Sequence, residues 1–95
     1  MKIYISLPIS GKDIEEVKLK AREAAVLLEE DGHVPITPFE VSPNPNATYA
    51  EHMGKDIQAL LECDAAMFLQ GWHDSKGCLA EFEVAKIYGK KLIFE

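Results

Sequence analysis

The chain is 95 residues long, enough for one domain, and at that size folding hides only roughly 60–65% of the unfolded surface. Hydrophobic content of 47% with 27% charged residues excludes a disordered or low-complexity chain. Ten Lys and Arg against sixteen Asp and Glu leave a formal charge of −6. Neither polymeric nucleic acid nor anionic lipid suits that balance, because both need basic footprints. It leaves open a small nucleotide held by a few local donors.

No apolar run approaches the ~20 residues of a membrane span. Met1 leads directly into Lys-Ile-Tyr-Ile-Ser, with no signal-peptide pattern. Cys63 and Cys78 form no CxxC and are too few for a disulfide scaffold. The expectation is a reduced, cytoplasmic protein without a membrane partner.

Lys2–Leu7 is β-branched and aromatic and predicts a buried strand. Pro8 to Lys12 breaks it, and Asp13 can cap a helix with Glu16 three residues on. Ile14, Val17, Ala21, Ala24, Ala25 and Leu28 recur at helical spacing to about Glu30, where Asp31-Gly32-His33 ends the helix. Val34–Thr37 predicts a short second strand, placed at a sheet edge by Pro35, which lacks a ladder donor. Pro38 to Ala47 holds three prolines and two asparagines and predicts neither helix nor strand. Thr48, with Glu51, caps a helix to about Glu62. Asp64–Leu69 is nearly all apolar and predicts a strand covered on both faces. A loop over 70–77 leads into a helix from about Cys78 to Tyr88, Gly89 stops it, and Lys90–Phe94 predicts the last strand.

This order predicts a single α/β domain over residues 1–95, a flavodoxin-like three-layer sandwich. Its sheet has four parallel strands ordered 2-1-3-4, with three helices. Ligands of such sheets sit at the carboxyl ends of the strands where the order reverses. The loops over 7–12 and 70–77 therefore face one crevice.

Two carboxylates break the helical patterns. On the Thr48–Glu62 helix, Tyr49, Met53, Ile57, Leu60 and Leu61 form the apolar arc, and Asp56 falls at its edge. On the last helix the apolar side is Cys78, Ala80, Val84, Ala85, Ile87 and Tyr88, and Glu81 lies inside it. Burying a carboxylate is costly unless it is paired or used, and desolvation raises its pKa. A partly exposed acid satisfied by a capping amide or a lysine is the ordinary alternative.

Other signals are weaker. Ser75-Lys76-Gly77 offers hydroxyl and amide donors at a helix start, although simple capping by Ser75 or Asp74 accounts for it equally. Ser6, Ser10, Gly11 and Lys12 precede the first helix, whose free amides suit a phosphate or carboxylate. Trp72 and Phe39 are loop aromatics, either packed or offered to a nucleobase. His33, His52 and His73 with the two cysteines have no metal-site spacing, so neither metal nor cofactor is expected.

Three stretches carry a resemblance: Tyr4-Ile5-Ser6-Leu7-Pro8-Ile9-Ser10-Gly11, Asp56 ahead of Cys63-Asp64, and Ser75-x-Gly77-x-x-x-Glu81-x-x-x-Ala85. Together they resemble the nucleoside 2-deoxyribosyltransferase superfamily, which includes the deoxynucleoside monophosphate N-glycosidases. The likeness is strongest to its short uncharacterised members. It implies that Glu81 is the nucleophile at the anomeric carbon, and that Asp56 holds the sugar and assists the leaving base. Tyr4 would match the aromatic of the first strand, and Ser75 the residue contacting sugar or phosphate. Ser6, Pro8, Ser10, Gly11, Lys12 and Gly77 would orient the sugar or phosphate, with Trp72 or Phe39 over the base.

The hydrolases place an arginine where this chain has Ser10, which leaves Lys12 as the candidate cation. The larger relatives continue past the fourth strand with residues that complete a neighbour's site. The resemblance therefore implies a pocket that is open or finished by another subunit. The expected activity is hydrolysis, or sugar transfer, of a nucleoside or nucleoside 5'-monophosphate. The rival expectation is a non-catalytic nucleotide-binding or interaction protein on the same scaffold. A homodimer packed through the Thr48–Glu62 helix and the proline-rich loop before it would supplement a thin core.

Overall fold

Strand β1 (Lys2–Ser6) runs through the middle of the sheet, and four of its five residues are buried. The computed structural model describes residues 1–95 and orders the strands β2-β1-β3-β4, all parallel, as expected from the sequence. β2 (Val34–Ile36) lies at one edge, β3 (Ala65–Phe68) inside, and β4 (Lys91–Phe94) at the other edge. Pro35 pairs in register with Ile3 from that edge, where its missing N–H interrupts no central ladder.

The two-residue repeat of β1 divides the core. Ile3 and Ile5 pack with Leu7 against Val17, Ala21, Ala24 and Leu28 of helix α1 (Ile14–Glu30). Tyr4 points to the other face with Ala66 and Phe68, under Ala59 and Leu60 of helix α3 (Tyr49–Leu61) and Ala85 of helix α4 (Lys76–Ile87). Ser6, two residues beyond Tyr4, shares that face. α1 starts at Asp13, whose side chain accepts from the Glu15 N–H, and the expected reciprocal bond from Glu16 does not form. It ends before Gly32, which takes φ +84° in the left-handed region. α3 begins on the expected capping box between Thr48 and Glu51.

Several expectations need correction. The proline-rich segment contains a four-residue helix, α2 (Pro38–Val41), so the chain has four α-helices instead of three. Pro38 stands in the first turn, where a proline N–H would be unpaired anyway, and Thr37 caps it by accepting from the Glu40 N–H. α4 begins at Lys76, two residues earlier than expected, because Ser75 is the cap and accepts from the Cys78 N–H. A single 3-10 turn, Trp72–Asp74, precedes it.

The apolar side of α4 is also narrower than its pattern suggests. Cys78, Glu81 and Ala85 are buried, with Phe82 and Val84 half-buried, but Ala80, Ile87 and Tyr88 are exposed. This helix covers the last two strands at the edge of the sheet, so only a thin stripe meets the core. Tyr49 and Leu61 of α3 are likewise exposed.

Candidate active site

Glu81 and Asp56 are the two acids among the buried residues, at 4% and 6% exposure. Glu81 sits in the second turn of α4, above the face of β1 that carries Tyr4 and Ser6. The Tyr4 hydroxyl donates to Glu81 Oε2 at 3.0 Å, and the Ser6 hydroxyl donates to Oε1 at 2.6 Å. Strand alternation thus aims two donors at one carboxylate. Asp56, on the inner face of α3, has no such partners, and its Oδ1 is buried without a hydrogen bond. An unsatisfied buried oxygen costs on the order of 1–3 kcal/mol, a cost a ligand donor would relieve.

Both acids line one cavity of about 450 Å³. Burial pushes Asp56 up to about 6. Burial also pushes Glu81 up to about 7, with the Asp56 charge adding to the rise and the Ser6 and Tyr4 hydroxyls opposing it. The two carboxyls therefore titrate as a coupled pair near neutrality. Tyr4 is raised well above its ordinary value by burial and by the Glu81 and Asp56 charges, so its phenol stays protonated and a donor. Burial raises the Cys78 thiol as well, which keeps it out of its nucleophilic thiolate form.

This cavity and a second, adjoining hollow share part of their lining and form two lobes of the crevice. The larger runs from Tyr4, Asp56 and Glu81 past Met53 and His52 to Phe39 and the proline-rich segment. A smaller, polar hollow of about 330 Å³ is lined by Pro8, Lys12, Gly71, Asp74 and Lys76. Ser10, Tyr49, Ser75 and Gly77 border both. At Gly77 a Cβ would stand 3.3 Å from the Tyr49 hydroxyl and 3.4 Å from Met53 Sδ, so glycine permits the close approach of α3 and α4 here.

The expected site residues divide accordingly. Tyr4, Asp56, Glu81, Ser10, Ser75 and Gly77 line the larger cavity, and Pro8 and Lys12 line the polar hollow. Ser6 is fully buried beneath Glu81 and supports the carboxylate from below. Gly11 borders neither hollow, and its φ of +76° serves the turn closed by the Lys12 N–H on the Ile9 carbonyl. Trp72 does not line the cavity. It stacks on Phe82 with centroids 4.9 Å apart and packs against Phe68 and Phe94, sealing the β4 edge. Phe39, the other aromatic considered for a base, does line the larger lobe.

Sequence reasoning missed Tyr49, Met53, His52 and Ser42 as lining residues. His52 lies one helical turn before Asp56, and that spacing was the available signal. Ser42 gave none, because its segment reads as structureless. No group of three His, Cys, Asp or Glu side chains is placed to hold a metal ion.

A family model described as a domain of unknown function (DUF4406) matches residues 1–94. Among solved structures, the chain superposes on a 2-deoxyribosyltransferase from Bacillus psychrosaccharolyticus with a TM-score of 0.75 and 21% identity, covering 99% of this chain and 71% of that one. Against the Clostridium botulinum CMP N-glycosidase BcmB the TM-score is 0.67 at 23% identity, over 99% and 70% of the two chains. A 2-deoxyribosyltransferase from Leishmania mexicana gives 0.73 at 22%, over 98% and 62%. The chain has the fold of these enzymes. No curated protein matches its sequence.

Proposed function

The chain belongs to the DUF4406 family, and we propose that it breaks the N-glycosidic bond of a nucleoside or nucleoside 5'-monophosphate, by hydrolysis or by sugar transfer. One observation carries the reading: a buried carboxylate, Glu81, held by two hydroxyl donors beside an unpartnered buried acid, Asp56, on one cavity. The activities of the three structural neighbours, two deoxyribosyltransferases and a CMP N-glycosidase, support it.

In this mechanism a Glu81 oxygen attacks C1' as the bond to the base breaks, and the bonding electron pair leaves with the base. Asp56 gives that base a proton. The oxocarbenium character that develops at C1' is stabilised by the adjacent carboxylate. Water, or the nitrogen of a second base, then attacks C1' and releases Glu81, passing its own proton to Asp56. The Tyr4 and Ser6 hydroxyls hold the Glu81 oxygens in place and favour the ionised form.

The two lobes suit the two ends of a nucleotide. The apolar lobe with Phe39 takes the base, and the hollow with Lys12 and Lys76 takes a 5'-phosphate. Ser10, Ser75 and Gly77 lie between them, beside the sugar. Two free buried thiols, Cys63 and Cys78, agree with a reducing cytoplasm as its compartment. No helix is long and apolar enough to cross a membrane. Exposed Tyr49 and Leu61 on α3 support a homodimer through that helix.

The deciding experiment incubates the protein with common ribo- and deoxynucleosides and their 5'-monophosphates and follows free base. Release that disappears in Glu81→Ala supports the assignment, and release that survives in that variant overturns it. Thermal stabilisation by a nucleotide without any base release would instead make the protein a binding module.

A further inference from the structure

His52 lines the larger lobe one helical turn before Asp56, so both side chains rise from the same face of α3. Its Nδ1 is hydrogen-bonded to the Ser42 hydroxyl. Ser42 is buried at the end of α2, where its backbone N–H donates to the Pro38 carbonyl at 2.9 Å. The imidazole is therefore anchored to a fixed point across the cavity wall. Nε2 bonds to no protein group, yet Asp56 Oδ1 is the only fully buried side-chain nitrogen or oxygen lacking a partner. Nε2 therefore stays accessible.

We propose that His52 is the residue that reads the base, and that Ser42 is the positioning residue that sets its ring. This deepens the glycosidic reading and rests on it. With Asp56 and Glu81 at the sugar, the preceding turn of α3, which carries His52, stands beside the ring that departs from C1'. Much of the rest of that lobe is apolar, with Leu7, Ile9, Ile14, Phe39, Met53 and three prolines, which grip a base without distinguishing its edges. Lys18, Asn44 and Tyr49 are the other polar candidates, but all three are exposed and none is tethered across the cavity as His52 is. A tethered imidazole differs from these: with Nδ1 committed to Ser42, Nε2 presents one directional hydrogen bond. Such a group favours a base with the matching donor or acceptor and leaves a mismatched base unpaired.

The test measures kcat/KM for base release across the four common bases, for the wild-type chain, His52→Ala, His52→Gln and Ser42→Ala. Binding of the base-free sugar and sugar phosphate is measured on the same proteins. His52→Ala is expected to narrow the ratio between the best and worst base by about 10-fold. His52→Gln, which keeps a polar edge, retains part of that ratio and serves as the reporter if the alanine variant does not fold. Ser42→Ala moves the ratio the same way by a smaller factor, and the base-free ligands bind within about twofold of wild type in all variants.

Base ratios that stay unchanged in both His52 variants overturn the assignment while the glycosidic reading stands. An equal loss for base-free ligands overturns it too, because His52 would then serve the sugar or the fold. A wild-type chain that releases no base and binds no nucleotide overturns both, which separates the two failures.

Discussion

The Ser6 hydroxyl donates a 2.6 Å hydrogen bond to Glu81 Oε1 across 75 residues of sequence, joining the central strand to the last helix inside the core. Tyr4, two residues earlier on the same face, binds the other carboxylate oxygen at 3.0 Å. Both bonds favour the charged form against a burial that disfavours it. Removing either donor raises the pKa of Glu81 further. Ser6→Ala and Tyr4→Phe should each lower the maximal rate of base release by about 10-fold and move the upper limb of its pH profile to higher pH. A rate loss with an unmoved profile would count against this electrostatic role.

Catalysis that needs Glu81 ionised and Asp56 protonated draws on the minor protonation form of the pair, because Glu81 is pushed higher than Asp56, and it gives a bell-shaped kcat/KM. Its limbs should lie near 6 and 7, the values to which burial pushes Asp56 and Glu81. Asp56→Asn should cost about 10²–10⁴-fold in rate and leave a profile that rises to a plateau, because only Glu81 still titrates. Its midpoint should fall below that of the wild-type upper limb, since the Asp56 charge helps to raise Glu81. Persistence of an alkaline limb in Asp56→Asn would exclude Asp56 as the acid.

The same shifts make the ligand-free site a liability for folding above neutral pH. A carboxyl whose folded pKa is raised stabilises the native state most below its unfolded value, and that contribution is lost as pH rises through the folded value. For Glu81, rising from an ordinary 4.5 to about 7, the loss between pH 4 and 8 is on the order of 3 kcal/mol. Glu81→Gln should therefore melt several degrees above wild type at pH 8 and close to it at pH 4. Thermal scans at both pH values check this, and an equal Tm difference at both would contradict it.

Lys12 and Lys76 line the polar hollow beside Ser75. If this hollow takes a 5'-phosphate, Lys12→Ala combined with Lys76→Ala should lower kcat/KM for monophosphates by about 10-fold or more and leave the parent nucleosides nearly unchanged. Equal losses on both substrate types would assign the lysines to folding or to the sugar.

Exposed Tyr49 and Leu61 should be covered if α3 forms the dimer contact. Light scattering at micromolar concentration should give twice the 10.6 kDa chain mass, and Leu61→Glu should reduce it towards the monomer. A monomeric mass for the wild-type chain would remove the self-association reading.

Much of this molecule was legible before any coordinates. The hydrophobic runs around Ile3, Ile36, Ala65 and Leu92, with helices between them, predicted a parallel sheet, and its expected flavodoxin-like order is the observed β2-β1-β3-β4. Asp56 and Glu81 stood out because a carboxylate on an apolar helical face breaks a local pattern, and both are buried on one cavity. Trp72 was open to two readings, a packed ring or a face for a nucleobase, and the fold packs it. An aromatic in a loop looks available, yet Phe68, Phe82 and Phe94 close around it from three separate elements.

What the sequence determined by itself is whatever depends on periodicity and capping: the strands, the long helices, the Thr48–Glu51 box and the two misplaced acids. These are interactions within a few residues of chain, so their pattern is written in consecutive letters. Tertiary structure alone decided that Ser6 and Tyr4 hold Glu81, that Ser42 reaches His52 from a short helix among prolines, and that Ile87 and Tyr88 stay exposed. Those outcomes depend on which faces of separate elements meet and how far each helix overhangs the sheet, distances that no local pattern encodes.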